Sequence, residues 1–370
     1  MTIGTEHEYS INDRNFIPLP ISDVLLSKIA GNVKSEVPFG KVTLSKELQK
    51  TVLEFIPKYP TDSLFELEEQ VYSGIHRFYM LFGDRYRLLG LGMHPTLTLN
   101  ETAVWNHDEG EYYKAYDRLF NIRQHGWLNI QALQVNLSYR NDEELIDLYN
   151  RICSLLPYLI AISASSPFVE GKTTGSVDNR LLFYRENQKE IPQICSRIVP
   201  ERIVEVNDYL ENQQEIYREL EKRDARILCE EWLNSSGLII RFSRRCVEVK
   251  AIDEQECIKS DMAVCAFLRA LVRAGDVPVE NDRDLLLDLT ELAIRKGTRA
   301  LQPELERLLL CAWNAATNEE KKYLKIIEDR IIHGSIAERM QERFKETGDM
   351  TEIMVSMEEA LRTNQPYISR

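Results

Sequence analysis

The chain has 370 residues, of which 44% are hydrophobic and 28% are charged, a composition typical of a globular protein rather than a disordered one. Its formal net charge of −13 argues against general nucleic-acid binding, because that function requires a basic surface that displaces phosphate counterions. The first residues are charged where a signal peptide would be apolar, and no apolar stretch reaches the roughly twenty residues that cross a bilayer. We therefore expect a cytoplasmic protein without nucleic-acid or membrane partners.

The N-terminal part of the sequence predicts strands and turns with one short helix. Residues 2–11 alternate loosely and predict a strand, and Asn12-Asp13 predicts the turn that follows it. We predict a helix over residues 45–53 and an extended segment at 54–56. Apolar residues at helical spacing predict a further helix within residues 62–82.

The rest of the sequence alternates helices with two strand regions. The predicted helices cover residues 112–120, 143–163 (kinked or broken at Pro157), 201–233 and nearly everything after 260, and the predicted strands lie within 133–139 and 238–250. No repeat or linker divides the chain, so we predict a single domain over residues 1–370 whose part at 281–370 is mostly helical. This order of elements favours an α+β fold with an antiparallel sheet over a regular βαβ alternation.

Acidic residues in the first strand have the spacing of metal ligands. Glu6 and Glu8 lie two apart, and side chains two apart on a strand point to the same face. Two like charges on one face repel each other, and a cation between them relieves the repulsion. The alternative is that they lie on an exposed strand face without any ligand.

Three further acidic residues extend this pattern. Glu47 and Glu54 lie seven apart, either two turns along one helical face or at a common end where a helix changes to a strand. Glu54 and Glu248 each stand among apolar neighbours, where a carboxylate needs an open strand face or a partner. Hard oxygen ligands of this kind suit Mg²⁺, which is held by a few carboxylates together with substrate phosphates.

Several segments of the sequence resemble motifs of the glutamate–cysteine ligase family and occur in the family's order. They are Gly4-Thr5-Glu6-His7-Glu8, the pair Glu47 and Glu54, Gly92-Met93-His94-Pro95, Gln134-Val135-Asn136-Leu137, the run SASSPFVEGKTTGSVDNR at 163–180, and Val247-Glu248-Val249-Lys250 with Asp253. The matches span residues 4–253. Gly92 to Pro95 is similar to the bacterial carboxylate–amine ligase branch, whereas Gln134 to Leu137 is similar to the plant-type branch.

The resemblance implies a fold and a reaction. The fold is an antiparallel sheet curled into a funnel with helices packed outside, similar to the catalytic fold of glutamine synthetase. The reaction transfers the γ-phosphate of ATP to a substrate carboxylate, and an amine then displaces phosphate to form an amide. Positioning and charge neutralisation are the main tasks in such phosphoryl transfer, which explains a need for several carboxylates and Mg²⁺ ions.

The resemblance also assigns roles to individual residues. Five acidic residues are expected to bind Mg²⁺: Glu6, Glu8, Glu47, Glu54 and Glu248. Gln134 and Asn136 lie on the strand that contacts metal or nucleotide. Arg180 and Lys250 are the candidate catalytic cations, and Lys172 is a further candidate for binding the nucleotide together with Arg180.

Two features depart from the family pattern. Lys250 stands where the family has arginine, which keeps the charge but removes the bidentate fork that grips a phosphoryl group; Arg244 or Arg245 could compensate. Gln134 and Asn136 replace the histidines of the bacterial branch, although an amide oxygen can still ligate Mg²⁺. We expect His94, between apolar neighbours, to make structural hydrogen bonds rather than to act as a base.

The most specific function that the resemblance implies is synthesis of γ-glutamylcysteine from glutamate and cysteine, a step of glutathione biosynthesis. Two alternatives stay open: a ligase of the same mechanism that acts on another carboxylate and amine, and a degenerate member that binds nucleotide and regulates. All of these imply small-molecule partners. For residues 281–370 the sequence predicts helical packing or contacts between copies in a homo-oligomer.

Overall fold

The computed structural model describes residues 1–108, 110–195 and 197–367. The strands are β1 (Ile3–Asn12), β2 (Glu36–Phe39), β3 (Val42–Lys46), β4 (Val52–Pro57), β5 (Arg87–Leu89), β6 (Ala132–Ser138), β7 (Phe168–Val169), β8 (Lys172–Thr173), β9 (Leu238–Arg241) and β10 (Cys246–Asp253). The helices are α1 (Ser22–Ala30), α2 (Leu64–Phe82), α3 (Gly110–Phe120), α4 (His125–Leu128), α5 (Asp142–Ser163), α6 (Asn179–Tyr184), α7 (Val206–Glu221), α8 (Ile258–Arg273), α9 (Arg283–Lys296), α10 (Gln302–Ala315), α11 (Glu320–His333), α12 (Ile336–Thr347) and α13 (Met350–Thr363).

Eight strands form one antiparallel sheet in the order β2-β3-β4-β1-β6-β10-β9, and β5 pairs with the end of β1. The long strand β1 lies at the centre and pairs with β4 on one side and β6 on the other. The short hairpin of β7 and β8 stands apart from this sheet. The helices and the antiparallel sheet confirm the predicted α+β class.

The two faces of the sheet differ in polarity. Along β6, Leu133, Val135 and Leu137 are fully buried, whereas Gln134 and Asn136 between them are only partly buried. Because successive strand residues point to opposite faces, one face of the sheet is apolar and the other carries polar groups. The helices α2 and α5 pack against β4 and β10, and α8 contacts both helices.

The core is continuous from the first strand to the last helices. A single cluster of buried apolar residues includes Ile3 in β1, Leu156 in α5, Phe267 in α8 and Leu361 in α13. One apolar core thus joins the sheet to the C-terminal helices, and the single domain over residues 1–370 stays a prediction. The part of residues 281–370 that the structure describes, up to 367, consists mainly of the five helices α9 to α13, as predicted; residues 368–370 lie outside the described residues.

Most predicted elements are confirmed, and three predictions need correction, the third of them at Pro157 in α5. The predicted helix at residues 45–53 is wrong: β3 ends at Lys46, β4 begins at Val52, and the two strands pair with each other. Val42 and Leu44 alternate with polar residues, a period of two that outweighs the helical propensity of the segment that follows. The predicted helix at 201–233 is shorter, since α7 covers only Val206–Glu221.

The helix α5 runs unbroken through Pro157, so the predicted break there is wrong. Its C-terminal half is buried on all sides, so packing holds it in place despite the backbone hydrogen bond that proline removes. Among the described helices it alone is long and apolar enough to cross a membrane. The apolar window is 78% buried inside the protein, as expected of a core helix.

Candidate active site

The register of the sheet brings most of the predicted metal ligands onto its polar face. Three cross-strand pairs carry them: Glu8 with Glu54, Glu6 with Gln134, and Glu248 with Asn136. Directly opposed residues of antiparallel strands share one face, so these six side chains lie together on the polar face across β4, β1, β6 and β10. We call this group of six side chains the polar field. The face that Glu6 and Glu8 share on one strand therefore also carries residues that are distant in the sequence.

Three of the carboxylates converge on one point. Glu8 on β1, Glu54 on β4 and Glu47 in the turn between β3 and β4 each offer an oxygen, and these oxygens all lie within 4.8 Å of one another. Glu8 is oriented by the amide Nε2 of Gln134 and the backbone N–H of Ala132, each donating to it over 2.9 Å. A set of oxygen donors at this spacing fits a hard divalent cation such as Mg²⁺.

The electrostatics of this cluster also favour a cation. Burial, followed by the charge of Glu47, raises the pKa of Glu8 well above its usual value. Burial and the neighbouring carboxylates likewise raise the pKa of Glu54, and burial raises that of Glu47. Within the described residues, none of the three forms an ion pair with a lysine, arginine or histidine. The cluster is therefore a site of mutual repulsion that a bound cation would relieve.

The other two predicted ligands already have cationic neighbours. Glu6 accepts a hydrogen bond from Arg244 over 2.6 Å, and Glu248 accepts one from Arg241 over 2.6 Å. Lys250 Nζ lies 3.7 Å from the second oxygen of Glu248. The Glu248 carboxylate raises the pKa of Lys250 against the opposing effect of burial, so the lysine stays charged. Cations thus contact Glu6 and Glu248 directly, whereas Arg180 acts on Glu8, and Lys46 and Lys250 act on Glu47, through charge without an ion pair to either carboxylate among the described residues.

Arg180 is held rigidly beside this field with part of its guanidinium free. It lies in the first turn of α6, which Asp178 caps by accepting a hydrogen bond from the N–H of Leu181 over 2.8 Å. Its Nε donates to Asp253 over 2.5 Å and its Nη1 donates to the backbone oxygen of Lys250 over 3.2 Å. The buried Nη2 has no hydrogen-bond partner among the described residues, so it is available to an anionic ligand.

Asp253 joins three of the sequence motifs. Besides Arg180 it accepts hydrogen bonds from the N–H of Ser165 over 2.9 Å and the hydroxyl of Ser166 over 2.8 Å. Gly92 packs directly on its carboxyl group, because a Cβ at that position would lie 2.2 Å from Asp253 Cγ. The glycine of one motif, the serines of the second and the aspartate of the third therefore form one buried support behind Arg180.

A cavity of about 520 Å³ opens beside these groups. Glu8, Glu47, Gln134, Arg180 and Lys250 lie on its polar side, together with Lys46. Six aromatic side chains also line it: Tyr112, Tyr113, Tyr116, Trp127, Tyr184 and Trp232. A cavity with charged groups on one side and ring faces on another suits a ligand that has both an anionic and an apolar or aromatic part.

Several of the predicted residues do not line the cavity: Glu6, Glu54, Glu248, Asn136 and Lys172, and likewise His94. Lys172 is exposed on β8 and does not line the cavity. Asn136 belongs to the polar field but not to the cavity lining, and its Nδ2 donates to Glu6 over 3.2 Å. His94 is fully buried, its Nδ1 accepts the backbone N–H of Leu97 over 3.1 Å, and burial lowers its pKa to about 4. The structural role predicted for His94 is confirmed.

Sequence reasoning missed the partner of Glu248 and the aromatic lining. Arg241 lies at the end of β9, which forms a hairpin with β10, and the register Cys246 opposite Arg241 brings it near Glu248. Pairing the two halves of the segment at 238–250 as a hairpin could have identified Arg241. Of the two arginines proposed to assist Lys250, Arg244 reaches the field, whereas Arg245 donates to the backbone oxygen of Arg140.

The profile of the glutamate-cysteine ligase family 2 (GCS2) matches residues 2–356 of the chain. The chain belongs to this family. The match extends well beyond residues 4–253, where the motifs lie, and includes most of the C-terminal helices. The predicted family is confirmed.

Similar proteins agree with this membership. A protein of Archaeoglobus fulgidus is 46% identical over 370 residues, which cover 99% of this chain and 100% of that protein. The crystal structure of a bifunctional glutathione synthetase from Pasteurella multocida superposes with a TM-score of 0.67 at 14% identity, over 98% of this chain and 52% of that one. This chain therefore spans about half the length of that enzyme.

The glutamate–cysteine ligase of Francisella tularensis, solved in complex with AMP, has a TM-score of 0.63 at 12% identity over 98% of this chain and 89% of that one. At these identities the two structures show a shared fold only. Family and fold together support the general prediction of an ATP-dependent carboxylate–amine ligase.

Proposed function

We propose that the protein is an ATP- and Mg²⁺-dependent carboxylate–amine ligase and that its most specific reaction joins glutamate to cysteine, giving γ-glutamylcysteine. The observation that carries the proposal is the convergence of Glu8, Glu47 and Glu54, none of which forms an ion pair among the described residues, beside the cavity that Glu8, Glu47 and Arg180 line. Family membership and the nucleotide in the similar Francisella enzyme support the use of ATP.

In this proposal the acidic residues hold Mg²⁺. Glu8, Glu47 and Glu54 form the first site, and Glu6 and Glu248 contribute further oxygens once phosphate groups share their arginine partners. Bound Mg²⁺ supplies positive charge that neutralises the phosphate oxygens of ATP. Gln134 and Ala132 keep Glu8 in place through their two hydrogen bonds.

The cationic residues act on the transferring phosphoryl group. Nη2 of Arg180 donates to a phosphate or carboxylate oxygen, and Lys250, which also lines the cavity, adds a second charge. In the first step the substrate carboxylate oxygen attacks the γ-phosphorus of ATP, the bond to the β-phosphate oxygen breaks, and ADP leaves. In the second step the amine attacks the acyl carbon, phosphate leaves with the bonding electrons, and the nitrogen loses a proton as the amide forms.

The aromatic side of the cavity offers ring faces for stacking. It can accept the adenine ring or the apolar part of the amine substrate, since both bury apolar surface against rings. A large apolar amine would favour the alternative in which the same mechanism acts on a pair other than glutamate and cysteine. Lys172, exposed on its hairpin, stays a predicted nucleotide contact within this proposal.

Further parts of the proposal concern the whole molecule. The sheet is proposed to curl into a funnel with the glutamine-synthetase-like architecture, and the chain to act as a single catalytic domain in the cytoplasm. Its partners are small-molecule substrates. The helices after residue 281 are proposed to pack on the core or to make contacts between copies.

The test measures ADP release by purified protein with ATP and Mg²⁺ against a matrix of amino acids and amines that includes glutamate with cysteine. We expect turnover with glutamate and cysteine, at least about 100-fold lower in E8Q, because a metal ligand and its charge are lost. The matched control is E359Q, which makes the same change at an exposed position on α13 and should retain full activity.

Each outcome of this assay separates the hypotheses. Turnover with glutamate but equal rates with cysteine and other amines would contradict the substrate pair while leaving the mechanism intact. ATP binding without ADP release for every pair would instead favour the regulatory protein. Equal activity of E8Q and the wild type would contradict the proposed metal site.

A further inference from the structure

A second group of ionisable side chains lies behind β1, on the face opposite to Glu6 and Glu8. His7 on β1, Glu254 directly after β10 and Asp261 in α8 are fully buried. Each offers one ligand atom, and the three atoms lie within 4.8 Å of one another. The hydrophobic core, rather than solvent, surrounds them, so their charges must be balanced locally.

The distances in this group match those between ligands of one metal ion. His7 Nδ1 lies 3.2 Å from Asp261 Oδ2 and 3.4 Å from Glu254 Oε1. Tetrahedral zinc has ligands at about 2.0–2.2 Å, which places neighbouring ligand atoms about 3.4 Å apart. His7 Nε2 lies 2.8 Å from the hydroxyl of Thr5, a contact of the kind that fixes the ring of a metal-binding histidine.

Unsatisfied polar atoms point to a missing ligand. Neither carboxylate oxygen of the fully buried Asp261 accepts a hydrogen bond from a described residue, although Oδ2 is close to His7. The hydroxyl of Tyr9, buried on the same face of β1, also has no hydrogen-bond partner within the described residues. Buried polar atoms are rarely left unpaired, so a bound ion is the simplest way to satisfy them.

The charge balance allows a metal ion but does not require one. Glu254 and Asp261 carry two negative charges when both are ionised, whereas burial raises the pKa of Glu254 and raises that of Asp261 well above its usual value. The nearby arginines have other partners: Arg330 bonds to Glu256 over 2.9 Å, and Arg269 bonds to Glu320 over 2.8 Å. A divalent cation with neutral His7 and two ionised carboxylates leaves the group without net charge, and so does an imidazolium at His7 with one protonated carboxyl group.

We propose that His7, Glu254 and Asp261 bind one divalent transition-metal ion, of the class of zinc, in a structural site behind the catalytic strand. One imidazole nitrogen with two carboxylate oxygens is a donor set suited to zinc rather than to Mg²⁺. Glu254 also accepts the backbone N–H of Glu8 over 3.0 Å, so the site would fix the strand that carries Glu8. This site is separate from the Mg²⁺ site on the front of the sheet.

The competing arrangement places a proton on His7 instead of a metal. Burial alone would lower the pKa of His7, but the charges of Glu254 and Asp261 raise it to about 10. A metal ion must displace this proton from Nδ1, so its affinity rises with pH. The two arrangements differ at one atom, Nδ1 of His7, which can be observed directly.

The test uses the full-length, untagged protein produced in zinc-supplemented medium and washed free of loosely bound ions by gel filtration. We expect about one equivalent of zinc per chain by mass spectrometry. The zinc content of D261N should be at least about tenfold lower than that of the wild type. E54Q, which alters only the front cluster, should retain the zinc. Zinc lost in E54Q but retained in D261N would place the ion on the front face and overturn the proposal.

A second measurement on the wild type covers the case in which D261N does not fold. Nitrogen NMR of the histidine rings is expected to show His7 Nδ1 without a proton. No zinc in the wild type, together with protons on both ring nitrogens of His7, would establish the imidazolium and refute the metal site. Neither readout depends on ligase activity, so the outcome is independent of the proposed function.

Discussion

Replacing Glu54 by glutamine is expected to move stability and activity in opposite directions. The ligand oxygens of Glu54, Glu8 and Glu47 lie within 4.8 Å of one another. At about that separation and an effective dielectric constant of about 20, two ionised carboxylates repel each other by about 3.5 kcal/mol. Protonation relieves part of this repulsion, so without Mg²⁺ we expect E54Q to raise the free energy of unfolding by about 1–3 kcal/mol.

The pH dependence of stability in a chelator follows from the same charges. Burial, followed by the charges of Glu6 and Glu47, raises the pKa of Glu54 well above the usual value of 4.5. A carboxyl group with a raised pKa binds more protons in the folded state than in the unfolded state, so stability falls as the pH rises from the unfolded pKa through the folded one. In this window the wild type should lose stability more steeply than E54Q.

Urea unfolding in EDTA and in Mg²⁺ measures these effects, with E359Q as the control for the same substitution at an exposed site. Mg²⁺ should stabilise the wild type and E359Q but have little effect on E54Q, whose ADP release should fall at least about 100-fold. If E54Q were less stable than the wild type in EDTA, or kept the full stabilisation by Mg²⁺, the interpretation of the cluster as a repulsive cation site would be refuted.

Substitutions at three further positions test the cationic side of the site. K250R should retain activity, whereas the kcat of K250M should be at least about tenfold lower, because the positive charge is needed more than the bidentate fork of arginine. Equal kinetics of K250M and the wild type would contradict this expectation. D253N should lower the free energy of unfolding by about 3 kcal/mol in urea titrations, because it leaves the buried guanidinium of Arg180 without its counter-ion, and an unchanged unfolding curve would argue against that pair. R180K should lower kcat/KM by about 100-fold in the ADP-release assay, because lysine cannot hold Asp253 and donate into the cavity at once; activity within about twofold of the wild type would exclude Arg180 from the site.

The part of the site that depends on local periodicity could be predicted from the sequence. Glu6 and Glu8 share a face because strand side chains alternate, and Gln134 and Asn136 share a face for the same reason. The motif run ending at Arg180 also predicted a cation in the site. Each of these inferences needs only the sequence within one segment.

The pairing between segments could not be read in the same way. Glu47 was placed in a helix, whereas it lies in the turn that joins β3 to β4, and only this turn brings it to Glu54. Arg241 and Arg244 reach their carboxylates through the register of the β9–β10 hairpin and the short turn within it. Register depends on which faces become buried in the whole fold, so single segments do not determine it.

Residues 253–256, Asp-Glu-Gln-Glu, are the clearest case in which the sequence does not predict burial. A run of four polar residues between a strand and a helix usually lies in solvent, yet all four are fully buried. Their partners come from different parts of the chain: Arg180 for Asp253, the N–H of Glu8 for Glu254, and Arg330 for both Gln255 and Glu256. An unpaired buried charge is costly, so such a run is stable only when every partner is in place. The same four residues thereby connect the support of Arg180, the strand of Glu8 and the C-terminal helix α11, so this one helix after residue 281 is bonded to the framework of the candidate site.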